Sequence, residues 1–217
     1  MAGRYTLRSP LSVLQAEFHF ETPAKLVWGP RFNVAPTQNI AIVRDGRLSF
    51  ARWGLIPSWA EDPKAAGSLY NAKAEDVAEK PAYRASFRRG RCLVLTDGFY
   101  EWKQEGKVKQ PYFVRMKDDR PFAFAGLTDR WERDDRAIDS ATILTTEAGA
   151  MMAEIHDRMP VILPPEAREI WLDPQFPGKQ ALLEVLKPYE EDDLIATPVG
   201  SFVNSPRNDD PFCINPL

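Results

Sequence analysis

Glu101 lies in the run Asp97-Gly98-Phe99-Tyr100-Glu101-Trp102, a carboxylate among aromatics directly after the apolar stretch Cys92-Leu93-Val94-Leu95. A carboxylate in such surroundings loses solvation, so it must find a partner or shift its pKa upward. His156, one of two histidines, sits in the similar setting Ile155-His156-Asp157-Arg158-Met159-Pro160-Val161-Ile162-Leu163. A desolvated acid and a histidine are the groups that proton transfer needs. From these residue types alone a bland alternative stays open: Glu101 pairs with a core arginine and His156 caps a strand.

Other chemistries fit less well. The two histidines and the two cysteines, Cys92 and Cys213, are too far apart for zinc-ligand spacing. Acidic pairs such as Asp192-Asp193 and Asp209-Asp210 read as solvated turns. No Gly-x-Ser-x-Gly elbow marks a serine nucleophile. Cys92 reads as a small buried hydrophobe and Cys213 lies in the tail, so neither reads as a nucleophile. No glycine-rich phosphate loop and no steady βαβ rhythm point to a nucleotide fold.

The elements that must position these groups come next. Ser9-Pro10 reads as an N-cap followed by proline at the first helical position, opening a helix to about residue 18. Residues 39–45 and 47–53 alternate around Asp45-Gly46, a two-residue hairpin signal. Residues 91–96 read as a buried strand. Glu105-Gly106 turns a second hairpin, from 99–104 into 110–116. Strands are expected at 121–127, 141–146 and 194–199, and helices at 148–155, 164–172 and 178–187. Strands grouped in hairpins with helices between the groups give an α+β class with largely antiparallel sheet.

A chain of 217 residues, 44% hydrophobic and 27% charged, fits one globular domain over residues 1–217 with a substantial core. No apolar run reaches the ~18 residues of a membrane span, and no signal-peptide stretch opens the chain. With no disulfide framework, a reducing, cytoplasmic setting is expected. The net charge of −3 argues against bulk electrostatic binding of nucleic acid. It leaves room for a local basic track, and Arg84, Arg88, Arg89 and Arg91 fall within eight residues, although such a run is usually a solvated face.

Further strings place polar residues among apolar or turn residues: Asn33-Val34-Ala35-Pro36, Trp53-Gly54-Leu55-Ile56-Pro57-Ser58-Trp59, and Asn71-Ala72-Lys73-Ala74-Glu75. Each alone is weak. With the Gly3-Arg4-Tyr5 start, the Arg91–Trp102 run, Gln110-Pro111-Tyr112-Phe113, Phe124-Ala125-Gly126-Leu127, Ile155–Pro160 and Val203-Asn204, they form an ordered set. That set resembles the SOS response-associated peptidase family, also called the abasic-site processing or SRAP family, over nearly the whole chain.

The resemblance implies a twisted, partly barrel-like β core flanked by helices. It implies a monomeric abasic-site sensor for single-stranded DNA, without cofactor, metal or membrane. The family begins Met-Cys-Gly-Arg, loses its methionine, and traps the ring-opened sugar aldehyde as a thiazolidine through the amine and thiol of the exposed cysteine. Here residue 2 is Ala2. No thiazolidine can form on it. Because the other strings are intact, the alanine reads as an engineered change making a crosslink-deficient variant, with natural loss the alternative.

The remaining roles carry over by position. Glu101 would orient the residue-2 amine and take its proton, His156 would act as general acid on the sugar ring oxygen, and Asn71 would hydrogen-bond the captured sugar. Arg4 and Arg158 would hold flanking phosphates, with Lys73 a weaker, unforked contact. Asn33, Pro36, Trp59 and Thr145 would line the DNA channel. Two other functions compete: a peptidase acting chiefly on its own Met1, and a non-catalytic module that binds single strands.

Overall fold

The computed structural model describes residues 3–64 and 69–217. In chain order these form β1 (Arg4–Leu7), α1 (Leu11–Phe18), β2 (Arg31–Val34), β3 (Asn39–Arg44), β4 (Arg47–Trp53), β5 (Asn71–Lys73), α2 (Arg84–Arg89), β6 (Arg91–Thr96), β7 (Gly98–Glu105), β8 (Val108–Met116), β9 (Phe122–Arg133), β10 (Arg136–Glu147), α3 (Ala150–Ala153), β11 (Arg158–Pro160), α4 (Pro165–Leu172), α5 (Lys179–Glu184) and β12 (Leu194–Pro198). Short 3-10 turns at Glu191–Asp193, Ser201–Asn204 and Pro211–Ile214 complete the chain.

The strands form two sheets. One runs in the order β12-β8-β7-β1-β2. The other runs β11-β10-β4-β3-β6-β9, and β9 pairs again with β10, so β10-β4-β3-β6-β9 closes into a ring. Pairings are antiparallel except that β10 runs parallel to β4 and to β5. The expectation of a mostly antiparallel α+β fold with a partly barrel-like core is thus met.

Local chemistry explains the hairpins. Asp45 and Gly46 take φ of 51° and 68°, the left-handed pair that matches the twist of β3 and β4. Gly106 and Lys107 connect Glu105 to Val108, one residue later than the Glu105-Gly106 turn expected from sequence. The strands expected at 121–127 and 141–146 are the inner halves of one hairpin of two 12-residue strands, β9–β10, turned by Asp134 and Asp135 at φ of 49° and 60°. Its outer half escapes a hydrophobic pattern because charge holds it together. Arg130 faces its cross-strand partner Asp139, and the Arg136 guanidinium lies 5.5 Å over the Trp131 ring.

Other expectations need correction. Pro10 is the N-cap of α1, and the Ser9 hydroxyl bonds Asp97 instead of capping the helix. The helices expected at 148–155 and 178–187 shorten to Ala150–Ala153 and Lys179–Glu184. The arginine run divides: Arg84, Arg88 and Arg89 are exposed on or beside α2, whereas Arg91 is buried and donates to the carbonyls of Phe87, Arg88, Trp171 and Asp173. Arg91 is therefore a structural clamp between β6 and α4, not part of a surface track.

The two sheets meet through aromatics. Tyr5 of β1 packs edge-on to Trp53 at 5.4 Å and Phe124 at 6.1 Å, each such pair contributing about 0.5–1.5 kcal/mol beyond its burial. Register then assigns faces. Tyr5 opposes Phe99, and Phe99 opposes Val114, all in the core between the sheets. Arg4 opposes Tyr100, and Tyr100 opposes Phe113, on the other face, where Val199, Val203 and Cys213 cover them. The junction of β1 and β7 is pinned by Asp97, whose buried carboxylate accepts from Thr6 Oγ1 at 2.6 Å, Ser9 N–H at 2.7 Å and Ser9 Oγ at 2.9 Å.

Candidate active site

Alternation along β7 puts Glu101 on the inner face with Phe99, and Trp102 on the outer face with Tyr100. Strand β1 begins at Arg4, opposite Tyr100, so both faces of β7 reach one cleft at that end. Arg4, Glu101, Trp102, Lys109, His156 and Asn204 line this open cleft of about 420 Å³.

Glu101 Oε1 lies 3.9 Å from His156 Nε2. That is too long for a direct hydrogen bond and leaves the two groups able to engage one bound atom between them. The Glu101 carboxyl is 2% exposed, and burial pushes its pKa up to about 7. It therefore exchanges its proton near neutral pH, the condition for a general base. Burial also lowers the His156 pKa, which favours the neutral ring.

The His156 Nδ1 atom has two neighbours that make opposite demands. The Arg158 backbone N–H donates to it at 3.0 Å, which requires a lone pair. An Asp157 carboxylate oxygen lies 2.8 Å away, which requires a proton. Burial favours the neutral form, and Asp157 is 86% exposed and well solvated, so the backbone bond decides. The neutral ring then carries its proton on Nε2, the nitrogen that faces Glu101.

The outer wall of the cleft is equally ordered. Arg4 donates through Nη1 to Asn33 Oδ1 at 3.1 Å and to the Val203 carbonyl at 2.8 Å, and through Nη2 to the Asn204 carbonyl at 3.2 Å. Trp102 Nε1 donates to Asn204 Oδ1 at 2.8 Å, fixing the indole.

A carboxyl with a raised pKa opposite a neutral imidazole, beside a fixed guanidinium, is a site for proton transfer on an anionic substrate. Comparison with known proteins agrees with the order of motifs along the chain. Residues 1–206 match the family model described as SOS response associated peptidase (SRAP). The chain belongs to the SRAP family. It is 41% identical to the abasic site processing protein YoqW of Bacillus subtilis (strain 168), the match covering 99% of each chain. It is 32% identical to the abasic site processing protein YedK of Escherichia coli (strain K12), over 83% of each. Among solved structures, a protein from Bacteroides thetaiotaomicron superposes with a TM-score of 0.90 at 26% identity, covering 99% of both chains.

Against the roles that SRAP resemblance assigns, the placement is uneven. Arg4, Glu101 and His156 come together in the cleft, from β1, β7 and the segment before β11. Ala2 lies outside the described residues. Asn71 and Lys73 sit on β5, paired with Ile143 and Thr145 of β10, with Asn71 half-buried and Lys73 exposed. Pro36 lies in the turn after β2 and Trp59 in the turn closed by the Ala60 N–H to Pro57 carbonyl bond. Trp59 is 59% exposed, and neither residue lines the cleft.

Two of these residues lie deeper than a channel lining suggests. Asn33 and Thr145 are wholly buried, and their side chains bond within the fold. The Asn33 amide instead donates to the carbonyls of Val203, Ser205 and Asn208 and accepts from Arg4. Thr145 Oγ1 donates to the Ala72 carbonyl and accepts from Arg158. Both position their neighbours. Arg158 forms a forked pair with Glu75 at 2.7 and 2.9 Å and also bonds the Thr145 carbonyl, so most of its donors are engaged within the fold.

The residue-by-residue reading did not single out Trp102, Lys109 or Asn204 as site residues. The signal for Lys109 lay in the hairpin. With the turn at Gly106-Lys107, one residue later than expected, Lys109 falls opposite Gln104, on the same face as Trp102.

Proposed function

We propose that this SRAP protein recognises abasic sites in single-stranded DNA and that Glu101 and His156 carry proton transfer at the sugar. The observation that carries the reading is the 3.9 Å spacing of Glu101 Oε1 and His156 Nε2 in a cleft also lined by Arg4, two residues after position 2. The names of the curated relatives, abasic site processing proteins, support the substrate.

The chemistry follows from the protonation states. The closed abasic sugar is a hemiacetal. Glu101, as the carboxylate, takes the proton of the hemiacetal hydroxyl while the Nε2–H of His156 protonates the ring oxygen and the C1′–O bond breaks, leaving an aldehyde at C1′; the proton on Glu101 then passes to Nε2 and restores both groups. Once Met1 has been removed, the α-amine of residue 2 adds to that aldehyde, Glu101 moves the excess proton from nitrogen to the carbinolamine hydroxyl, and loss of water gives an imine. In a chain with cysteine at residue 2, the thiolate then adds to the imine carbon and closes a five-membered ring. With alanine at position 2 no thiol follows, and the imine is left open to slow β-elimination.

The test is Ala2→Cys. We expect a heat-stable adduct with abasic single-stranded DNA on a denaturing gel, and none with an intact strand. Glu101→Gln in the same background should slow its formation by roughly 10²-fold, the lower range for a general base. Absence of any adduct in the cysteine form refutes the reading. An undiminished rate in the glutamine variant leaves a passive binding module.

A further inference from the structure

The cationic wall of the cleft extends beyond the residues that family resemblance assigns. Lys109 of β8 pairs with Gln104 and Trp102 pairs with Pro111, so cross-strand register puts Lys109, Trp102 and Arg4 on the outer face of β7 and β8. Glu101 lies on the opposite, inner face and reaches the cleft from the other side. One end of the sheet thus sorts charge: a carboxyl and an imidazole on one wall, a guanidinium and an ammonium on the other.

The two cations differ in freedom. Arg4 spends three N–H bonds on Asn33, Val203 and Asn204 and is held rigidly. Lys109 is exposed and makes no ion pair among the described residues. Its ammonium is a mobile point charge on a four-carbon stem, suited to a phosphate oxygen and unsuited to forked recognition. Its charge is felt across the cleft: after burial, it is among the influences that lower the His156 pKa. A phosphate held at this wall also stays away from the Glu101 carboxylate, which would otherwise repel it.

We propose that Lys109 and Arg4 form a phosphodiester subsite on the outer wall of the cleft, with Lys109 contacting one phosphate of the strand beside the abasic nucleotide. This deepens the DNA reading above and rests on it.

The experiment measures binding of a fluorescein-labelled single strand carrying one tetrahydrofuran abasic analogue, by anisotropy across a sodium chloride series. Wild type, Lys109→Gln and Lys109→Arg are compared. Each phosphate contact on a single strand adds about 0.7 to the slope of log K against log salt. Lys109→Gln should lower the magnitude of that slope by about 0.7 and weaken binding several-fold at low salt, whereas Lys109→Arg should restore both. A slope unchanged in Lys109→Gln overturns the proposal even if affinity falls, because a loss by misfolding or altered packing does not remove a released counterion. A slope lowered equally in Lys109→Arg also overturns it. If wild type does not bind the strand at any salt concentration, the DNA reading itself fails and the subsite with it.

Discussion

Replacing Glu101 by glutamine should stabilise the protein, and only above a definable pH. The carboxyl is buried, and its pKa is raised from 4.5 to about 7 chiefly by burial. Below pH 4.5 it is protonated in folded and unfolded chains alike, and folding is indifferent to it. Between pH 4.5 and 7 the unfolded chain ionises while the folded chain keeps its proton, so the unfolded state binds fewer protons and stability falls as pH rises. The slope is about 1.36 kcal/mol per pH unit, giving a penalty of about 3 kcal/mol that is complete above pH 7. Glutamine fills nearly the same volume and never ionises. Thermal melts of wild type and Glu101→Gln at pH 4 and pH 8.5 should therefore converge at the lower pH and separate by several degrees at the higher one. For a chain of this length about 2–4 °C accompanies each kcal/mol. Equal differences at both pH values would mean that ionising Glu101 costs the fold nothing, and the argument for its role as a base near neutral pH would lose its physical ground.

Asn33→Ala removes an NH2 group whose two N–H donors serve the carbonyls of Val203, Ser205 and Asn208, and the acceptor for Arg4, all within the fold. At about 1 kcal/mol per bond it should cost roughly 3 kcal/mol, read as a fall in Tm, and the loss should appear without DNA. Trp59→Ala should act in the opposite manner, since the indole is mostly exposed. We expect stability within about 0.5 kcal/mol of wild type and affinity for single strands about tenfold weaker, from the loss of one stacked base, checked by melts and anisotropy side by side.

What could be read from residues alone divides along a physical line. The β3–β4 hairpin was legible because its cause is local: alternating apolar residues closed by Asp45-Gly46 in the one conformation that fits the strand twist. Strands β1, β2, β5 and β11 were not, because three or four residues carry no period and their partners are far along the chain. The outer halves of β9 and β10 were missed for another reason, since their cross-strand ion pair and cation–π contact look like loop composition in a linear string. The site follows the same division. A carboxyl among aromatics announces its own desolvation, so Glu101 was visible. Asn33 looks like any turn-forming amide until residues 170 to 175 positions away bring three carbonyls to it. Its burial then makes it a clamp on Arg4 and on the loop that carries Asn204, which in turn fixes Trp102. The outer wall of the cleft is thus held by a chain of side-chain bonds with no local signature, whereas the inner wall depends on one buried acid. Sequence reading finds the second kind of residue readily and the first kind only after register is known, and Lys109, whose meaning comes entirely from its place opposite Gln104, belongs to the first.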